Sequence, residues 1–350
     1  MTARKSGMSQ QDLMDKEDPA PAIVSLREQL KAAMSREEEL KAQVGSDEAL
    51  FAYVKDGIKA LEPLKPQPMP TPKLRHAPLS AVAIWCDAHS EEMVREEETE
   101  GLSKYDWQTF EDRMARLPEK TVELTNIMRQ ASDVKVLTLA LLGDWFMGEI
   151  HPDEVGWGSS KTLPNALPNA SRVLAEAIVR VATSFDAVNV IGLVGNHGRT
   201  TKKPVTKMTA DRNWDYALYL IAQEFTKRCP NVKWTLPKSL IHVTEVEKWK
   251  VALTHGDVCK RTHTHPYFGI SQAVAKEQQS RRRTDKDFDY MFMGHWHHFG
   301  IIEDNIIICP SLIGPNQFSQ YRMHARSQAR QLLTFWTEKH GMSTMWPINL

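Results

Sequence analysis

The sequence lacks the features that mark membrane or secreted proteins. It contains no run of about 18 apolar residues that could cross a bilayer, and its first residues include no apolar core of a signal peptide. Its four cysteines lie far apart and form no CxxC pair; they are Cys86, Cys229, Cys259 and Cys309. These absences predict reduced thiols, no membrane partner and a cytoplasmic location.

A net charge is also missing. The 350 residues carry 44 Lys and Arg against 44 Asp and Glu, a balance that neither supports nor excludes a nucleic-acid partner. The length is sufficient for one large domain or two ordinary domains with a hydrophobic core.

Composition and periodicity divide the chain into four segments. We expect a disordered polar tail over residues 1–20, a helical accessory or oligomerisation segment over 21–62, a proline-rich linker over 63–78 and the main domain over 79–350. The boundary falls at the linker because its prolines exclude both helix and interior strand.

The helical segment has a heptad pattern. Its core positions are Ile23, Leu26, Leu30, Ala33, Glu37, Leu40 and Val44. Gly45 predicts the end of this helix, and Ser46 predicts the start of another. Because a glutamate occupies one core position, two interpretations stay open: a coiled coil, which would make a homodimer or bind a partner protein, and a single amphipathic helix packed on the main domain.

In the main domain, short apolar runs alternate with helical stretches, a pattern that predicts an α/β fold. The expected strands cover 80–86, 134–142, 187–194, 239–245, 248–254, 289–293, 305–309 and a hairpin over 331–346; the expected helices cover 106–130, 169–184 and 211–228. Six glutamates between Glu91 and Glu100 predict a solvated acidic surface.

Five of the expected strands end in residues that commonly bind metals. These residues are Asp87 and His89, Asp144, Asn196 and His197, His255, and His295 and His297. In α/β sheets, ligand sites gather at the carboxyl ends of strands. The mixture of carboxylate, amide and imidazole suits Mn, Fe or Zn better than Ca and is too large for one ion. It is typical of a two-metal site, an arrangement used in phosphate-ester hydrolysis.

The order of these motifs resembles the calcineurin-like metallophosphoesterase superfamily. The resemblance spans residues 80–315 and rests on Asp87-x-His89, Gly143-Asp144, Gly195-Asn196-His197, His255-Gly256 and Gly294-His295-x-His297. It implies an α/β fold with a four-layer α/β/β/α sandwich and a dinuclear metal site at one edge.

The resemblance also implies roles for the residues. Asp87, His89 and His297 correspond to ligands of one metal; Asn196, His255 and His295 correspond to ligands of the other; Asp144 would bridge the two. A bridging hydroxide would attack phosphorus, and His197 would protonate the leaving oxygen. We expect two divalent ions, Mn first, with Fe, Zn or Mg as alternatives.

Departures from the family pattern narrow the subfamily. Ser/Thr phosphatases of the superfamily carry Gly-Asp-x-x-Asp-Arg-Gly and Gly-Asn-His-Glu, whereas this chain has Met147-Gly148 and Gly198 at those places. SbcCD-type DNA repair exonucleases carry an Asp where this chain has Gly198. An acidic partner for His197, if there is one, must therefore come from another part of the chain. The Gly-Asn-His-Gly-Arg form is similar to phage-type DNA repair exonucleases, and this resemblance implies the cytoplasm of a bacterial or phage-infected cell.

Basic residues follow two of the motifs and favour a polynucleotide substrate. Arg199, Lys202, Lys203 and His298 are the candidate substrate contacts. A basic stretch also covers 260–286; it could bind phosphates or could be a solvated helix face around 272–283, and both interpretations stay open. Trp145, Trp157 and Trp296 are candidates for base stacking, although core packing is the commoner use of tryptophan. We therefore expect a DNA exonuclease or endonuclease. The alternatives are a phosphodiesterase or phosphatase for a small nucleotide, and a catalytically silent binding scaffold.

Overall fold

The computed structural model describes residues 21–59, 77–150, 159–259, 266–284, 286–321 and 326–350. The helices are α1 Pro21–Lys59, α2 Trp107–Arg129, α3 Leu163–Ala182, α4 Trp214–Thr226, α5 Pro266–Arg282 and α6 Gln317–Tyr321, with a short 3-10 helix at Glu96–Thr99. The strands are β1 Ala77–Trp85, β2 Ser132–Leu141, β3 Ala187–Gly192, β4 Val232–Thr235, β5 Ile241–Val246, β6 Trp249–Thr254, β7 Tyr290–Met293, β8 Gly300–Ile302, β9 Ile306–Ile308, β10 Arg330–Thr337 and β11 Gly341–Asn349.

The chain divides into two compact units, Met1–Pro72 and Lys73–Leu350. In the first unit, α1 is one continuous helix of 39 residues. The helix end predicted at Gly45 is therefore wrong, since a glycine inside a helix costs only about 1 kcal/mol. All of its described side chains are exposed. The expected tail over 1–20 and most of the expected linker lie outside the described residues.

The first sheet of the second unit has six strands in the order β11-β10-β1-β2-β3-β4. Strands β1 to β4 run parallel, while β10 pairs antiparallel with both β1 and β11. The second sheet has five strands in the order β5-β6-β7-β9-β8. Within it, β6, β7 and β9 run parallel, with an antiparallel strand at each edge.

Three clusters of buried side chains hold the second unit together. One packs a face of the first sheet against α2, α3 and α4. Another contains side chains of both sheets, such as Ile84 and Leu142 with Leu253 and Phe292. The last packs the second sheet against α5. Each large apolar side chain buried in this way contributes roughly 1.5–3 kcal/mol. The second cluster therefore packs the two sheets against each other.

Helices α3 and α5 can also be compared with the expectation. Helix α3 begins at Leu163, with Pro164 in its first turn, where a missing N–H is tolerated; the sequence pattern predicts a start at 169. Helix α5 lies in the last third of the chain, where the pattern otherwise predicts mainly β-structure, and it confirms the helical interpretation of the segment around 272–283. None of the described helices is long and apolar enough to cross a membrane.

Candidate metal centre

The metal-type residues follow the carboxyl ends of the central strands of both sheets. β1 leads to Asp87 and His89, β2 to Asp144, β3 to Asn196 and His197, β6 to His255, and β7 to His295 and His297. Backbone hydrogen bonds tie the first two loops together: Asp87 N donates to Gly143 O at 3.0 Å, and His89 N donates to Asp144 O at 3.0 Å. The structure therefore brings together all seven residues that the sequence predicts as ligands.

The backbone is left-handed at five of these residues. The φ angles are 51° at Asp87, 42° at His89, 52° at Asp144, 68° at His295 and 52° at His297. This conformation costs roughly 1–3 kcal/mol for a residue with a side chain, and such strain concentrates at functional sites. The loop after β2, which carries Asp144, also needs a glycine. Gly143 has φ +85°, and a Cβ there would lie 2.2 Å from Gly195 N.

One group of donors consists of Asp87, His89 and His297, whose candidate ligand atoms lie within 4.8 Å of one another. The Nε2 atoms of His89 and His297 are 3.2 Å apart, and His297 Nε2 is 3.5 Å from Asp87 Oδ1. Asp87 also accepts from the backbone N of His295 at 3.0 Å. Its carboxylate therefore connects the loops after β1 and β7. We call this set the first group.

The second group consists of Asp144, His255 and His295, again with ligand atoms within 4.8 Å of one another. His255 Nε2 lies 3.0 Å from Asp144 Oδ2 and 3.1 Å from Asn196 Oδ1. On the other side of the ring, His255 Nδ1 lies 2.7 Å from the carbonyl oxygen of Leu142. This contact makes Nδ1 the protonated nitrogen and directs Nε2 towards the other donors.

Both groups fit divalent cations. Ligands that each lie about 2.1 Å from one ion are themselves roughly 3 Å apart, which is the spacing between the Nε2 atoms of His89 and His297 (3.2 Å). Two buried imidazole nitrogens at this distance need either a proton or a cation between them. Asp144 lies in the second group, beside the loop of the first; a bridging role for it stays a prediction.

Buried charges control the protonation of the site. Burial alone would raise the pKa of Asp144, but the positive charges of His255 and His197 hold it well below its usual value. Burial alone would lower the pKa of His255, yet the Asp144 carboxylate raises it to about 10. Burial and then the charge of His255 lower the pKa of His295 to about 3. At neutral pH the second group therefore holds a proton on His255 that a cation would replace.

His197 is fixed by a side-chain carboxylate and a main-chain carbonyl. Its backbone N donates to Asp144 Oδ1 at 2.8 Å, and its Nδ1 lies 2.8 Å from the carbonyl oxygen of Met147. Its ring stands edge-on to that of His89, with the centroids 4.8 Å apart. The contact with a carbonyl oxygen requires a proton on Nδ1, which sets the orientation of the ring.

Sequence reasoning missed Asp215, a fully buried carboxylate at the start of α4. Its Oδ2 accepts from the backbone N of Asp144 at 2.9 Å and of Gly195 at 2.9 Å, and its Oδ1 accepts from Trp145 N at 3.0 Å. Burial and the nearby Asp144 charge raise its pKa to about 7. Asp215 therefore joins the loops after β2 and β3. The only sequence signal was its place two residues after Asn213, the helix cap.

Glu91 contradicts the prediction of a solvated acidic surface. It is only 2% exposed, and its Oε1 accepts from Gly148 N at 3.0 Å. Burial raises its pKa, although hydrogen bonds from backbone N–H groups oppose the rise. The other glutamates of this stretch are half-buried or exposed.

The candidate substrate residues are less closely tied to the two groups. Lys202 and Lys203 are exposed and Arg199 is half-buried, all in the segment that follows His197. His298 is half-buried, with its Nδ1 2.8 Å from the carbonyl oxygen of Trp296. Their contact with a substrate stays a prediction.

The tryptophans do not favour base stacking. Trp145 and Trp296 are 1% and 4% exposed, so neither offers a face to a base. Both belong to buried core clusters, and Trp157 lies outside the described residues.

No protein-family model matches this chain, and no curated protein matches it significantly. Solved structures that match it include a protein of unknown function, AQ665, from Aquifex aeolicus, with a TM-score of 0.27, 12% identity, and coverage of 63% of this chain and 81% of that protein. Vps29 from Chaetomium thermophilum matches with a TM-score of 0.30, 8% identity, and coverage of 77% and 98%.

The sulfate thiohydrolase SoxB from Thermus thermophilus, solved in complex with glycerol, matches with a TM-score of 0.33, 8% identity, and coverage of 81% of this chain. The match spans 58% of the length of SoxB. At such low TM-scores, none of these likenesses establishes a shared fold or function.

Proposed function

We propose that this chain is a metal-dependent phosphodiesterase of the calcineurin-like metallophosphoesterase type, and that it cleaves DNA as an exonuclease or endonuclease. The observation that carries the proposal is the presence of two adjacent groups of His and Asp donors beside His197. We further propose that the second unit is a four-layer α/β/β/α sandwich, a layering that its three buried clusters support.

The residues of the first group would hold one divalent ion, and those of the second group, with Asn196, would hold the other. Mn is our first choice, with Fe, Zn and Mg as alternatives. When bound, the ions supply positive charge for the phosphoryl oxygens and lower the pKa of water. The buried histidines and carboxylates would orient the phosphate by holding these charges in place.

His197 would act on the leaving group. Hydrolysis adds the elements of water: phosphorus gains a bond to oxygen, the bond to the leaving oxygen breaks, and that oxygen needs a proton. Because Nδ1 of His197 is committed to Met147 O, Nε2 is the nitrogen that would deliver this proton. Such proton transfer accelerates a reaction by about 10²–10⁴-fold.

A DNA substrate is favoured by the cations beside the site. Arg199, Lys202 and Lys203 follow the catalytic candidate His197 within six residues, and cations so placed would bind the phosphates on either side of the scissile bond.

The heptad positions of α1 would pair with a second copy or with a partner protein. Because α1 is continuous, the same heptad register continues through Asp47, a charged core position, to the apolar Phe51 and Val54.

A small nucleotide is the second candidate substrate. A cavity of about 310 Å³ is lined by Glu91, Gly148, Lys161 and neighbouring residues. Gly148 follows Met147, whose carbonyl oxygen contacts His197. This volume lies at the lower end of the range for small-ligand sites.

The test is hydrolysis by metal-stripped protein before and after Mn is added. Labelled single-stranded and double-stranded DNA would be compared with a chromogenic phosphodiester and a phosphomonoester. We expect Mn-dependent DNA cleavage that falls steeply with salt and that decreases by about 10²-fold or more in Asp144→Asn and His197→Ala. The matched controls Asp112→Asn and His340→Ala alter exposed residues and should retain activity.

The outcomes separate the candidates. Turnover of the chromogenic diester with intact DNA and little effect of salt would favour the small nucleotide. No hydrolysis of any ester by protein that binds two ions would overturn the enzymatic proposal and favour a binding scaffold.

A further inference from the structure

A single peptide group lies between the His197 ring and a buried carboxylate. The carbonyl oxygen of Met147 is 2.8 Å from Nδ1 of His197, and the N–H of Gly148 donates to Oε1 of Glu91 at 3.0 Å. The Met147 carbonyl and the Gly148 N–H belong to the same planar amide. A continuous chain of hydrogen bonds therefore runs from the ring, through one amide, to a carboxylate.

The Glu91 carboxylate is held in place on several sides. Ser90 Oγ donates to its Oε2 at 3.1 Å. The main chain of Glu91 is also fixed, since its carbonyl oxygen accepts from both N and Oγ of Ser160. Burying a carboxylate costs several kcal/mol unless it is well hydrogen-bonded. The donors from Ser90 and Gly148 offset this cost, and they fix the carboxylate against one particular amide, which calls for a role beyond packing.

The close approach of this amide depends on a glycine. Gly148 has φ +72°, and a Cβ at this position would lie 2.1 Å from the carbonyl oxygen of His197. Any other residue would push the amide away from the catalytic candidate. The sequence thus provides both the carboxylate and the glycine that bring the amide to His197.

We propose that Glu91 is the acidic partner of His197, acting as a positioning residue through the Met147–Gly148 amide. The proposal rests on the proposed function, in which His197 delivers a proton to the leaving oxygen. A carboxylate that accepts from an amide N–H polarises the amide and makes its carbonyl oxygen a stronger acceptor. The carbonyl then holds Nδ1–H of His197 firmly and keeps Nε2 aimed at the leaving group.

The arrangement accounts for a departure from the family pattern. In related motifs an aspartate can stand directly after the histidine or three residues after the aspartate. This sequence has Gly198 at the first place and Met147 at the second, so neither motif supplies an acid. Glu91 comes instead from the loop after β1, two residues beyond His89. Asp215 does not serve this purpose, because its oxygens accept from the backbone N of Asp144, Trp145 and Gly195.

The test compares Glu91→Gln with wild type, because glutamine keeps the size and an accepting oxygen but removes the charge. Glu97→Gln, which alters an exposed residue of the same stretch, is the matched control. Thermal unfolding and Mn titration would show that both variants fold and bind metal as wild type does. We expect Glu91→Gln to lower kcat by about tenfold with KM unchanged, a smaller loss than that of the general acid itself.

A second readout does not depend on activity. Proton–nitrogen NMR of metal-free protein with labelled histidine detects Nδ1–H of His197, identified by its absence from His197→Ala. We expect this proton signal to move upfield in Glu91→Gln, because a less polarised carbonyl makes a weaker hydrogen bond, and to stay in place in Glu97→Gln.

An unchanged signal in Glu91→Gln would overturn the proposal whether or not the protein is active. A shifted signal without hydrolysis of any ester by wild type would leave the link between Glu91 and His197 in place and overturn the proposed function alone. An unchanged kcat in a variant with a shifted signal would show that the link has no catalytic role.

Discussion

The two groups of donors have the same composition, with one aspartate and two histidines each, but they differ in how firmly they are held. In the second group, His255 Nδ1 is bonded to the carbonyl oxygen of Leu142, and the loop of Asp144 is fixed by Asp215. In the first group, Nδ1 of both His89 and His297 lacks a hydrogen-bond partner among the described residues. Since the support of a ligand determines how well it is oriented for a metal, the second group should bind its ion more tightly.

We expect the largest effect from removing Asp215, which holds the loop of the second group in place. Asp215→Ala leaves three buried N–H groups without an acceptor, each at a cost of about 1–3 kcal/mol. We expect the free energy of unfolding to fall by roughly 3 kcal/mol or more and one of two Mn ions to be lost. Denaturant unfolding and Mn titration measure the two effects.

Asp211→Ala is the control for this change. Asp211 forms a surface ion pair with Lys238, and such pairs contribute about 0–1 kcal/mol. An Asp215→Ala protein with unchanged stability and two bound ions would contradict the idea that Asp215 supports the second group.

A smaller effect should separate the two groups by affinity. We expect metal-stripped protein to bind Mn in two steps, with the tighter step stronger by about tenfold, or roughly 1.4 kcal/mol. His255→Ala should remove the tight step and His89→Ala the weak one. Electron paramagnetic resonance of free Mn during the titration measures both steps, and loss of the tight step in His89→Ala would reverse the comparison.

The smallest effect concerns protons. Because the pKa of His255 is raised to about 10, this ring carries a proton at neutral pH that Mn must displace. His295, with a pKa of about 3, is already neutral and has none to release. Mn binding to the second group should therefore strengthen as pH rises from 6 to 8 and release about one proton.

Calorimetric titration in buffers of different ionisation enthalpy counts the protons released. His255→Ala should abolish the release that accompanies the tight step. The same release in that variant would show that the proton comes from another residue.

The candidate ligand residues could be picked out from the sequence because each lies in the loop after an apolar strand, where the ends of neighbouring strands converge; the structure groups six of them, and their binding of metal stays a prediction. The sequence did not predict Asp215 or Glu91, because their partners are backbone N–H groups of loops that are remote in sequence or irregular. Hydrogen bonds of this kind leave no periodic pattern in the sequence. The six glutamates of the segment that contains Glu91 predicted a solvated surface. Composition describes the segment as a whole, so it could not show that Glu91 is buried while the other glutamates are not. The prediction of a helix end at Gly45 was wrong for a related reason: the low helix propensity of a single glycine is too small an effect to interrupt a long helix.

The left-handed backbone at His89, His295 and His297 has a consequence for how this protein can change. Glycine would adopt these φ angles at less cost, so the chain retains histidine there against its own conformational preference. Replacing these histidines with glycine should therefore relieve local backbone strain and remove the imidazole donors together, so that stability and metal binding oppose each other at this edge of the sheets.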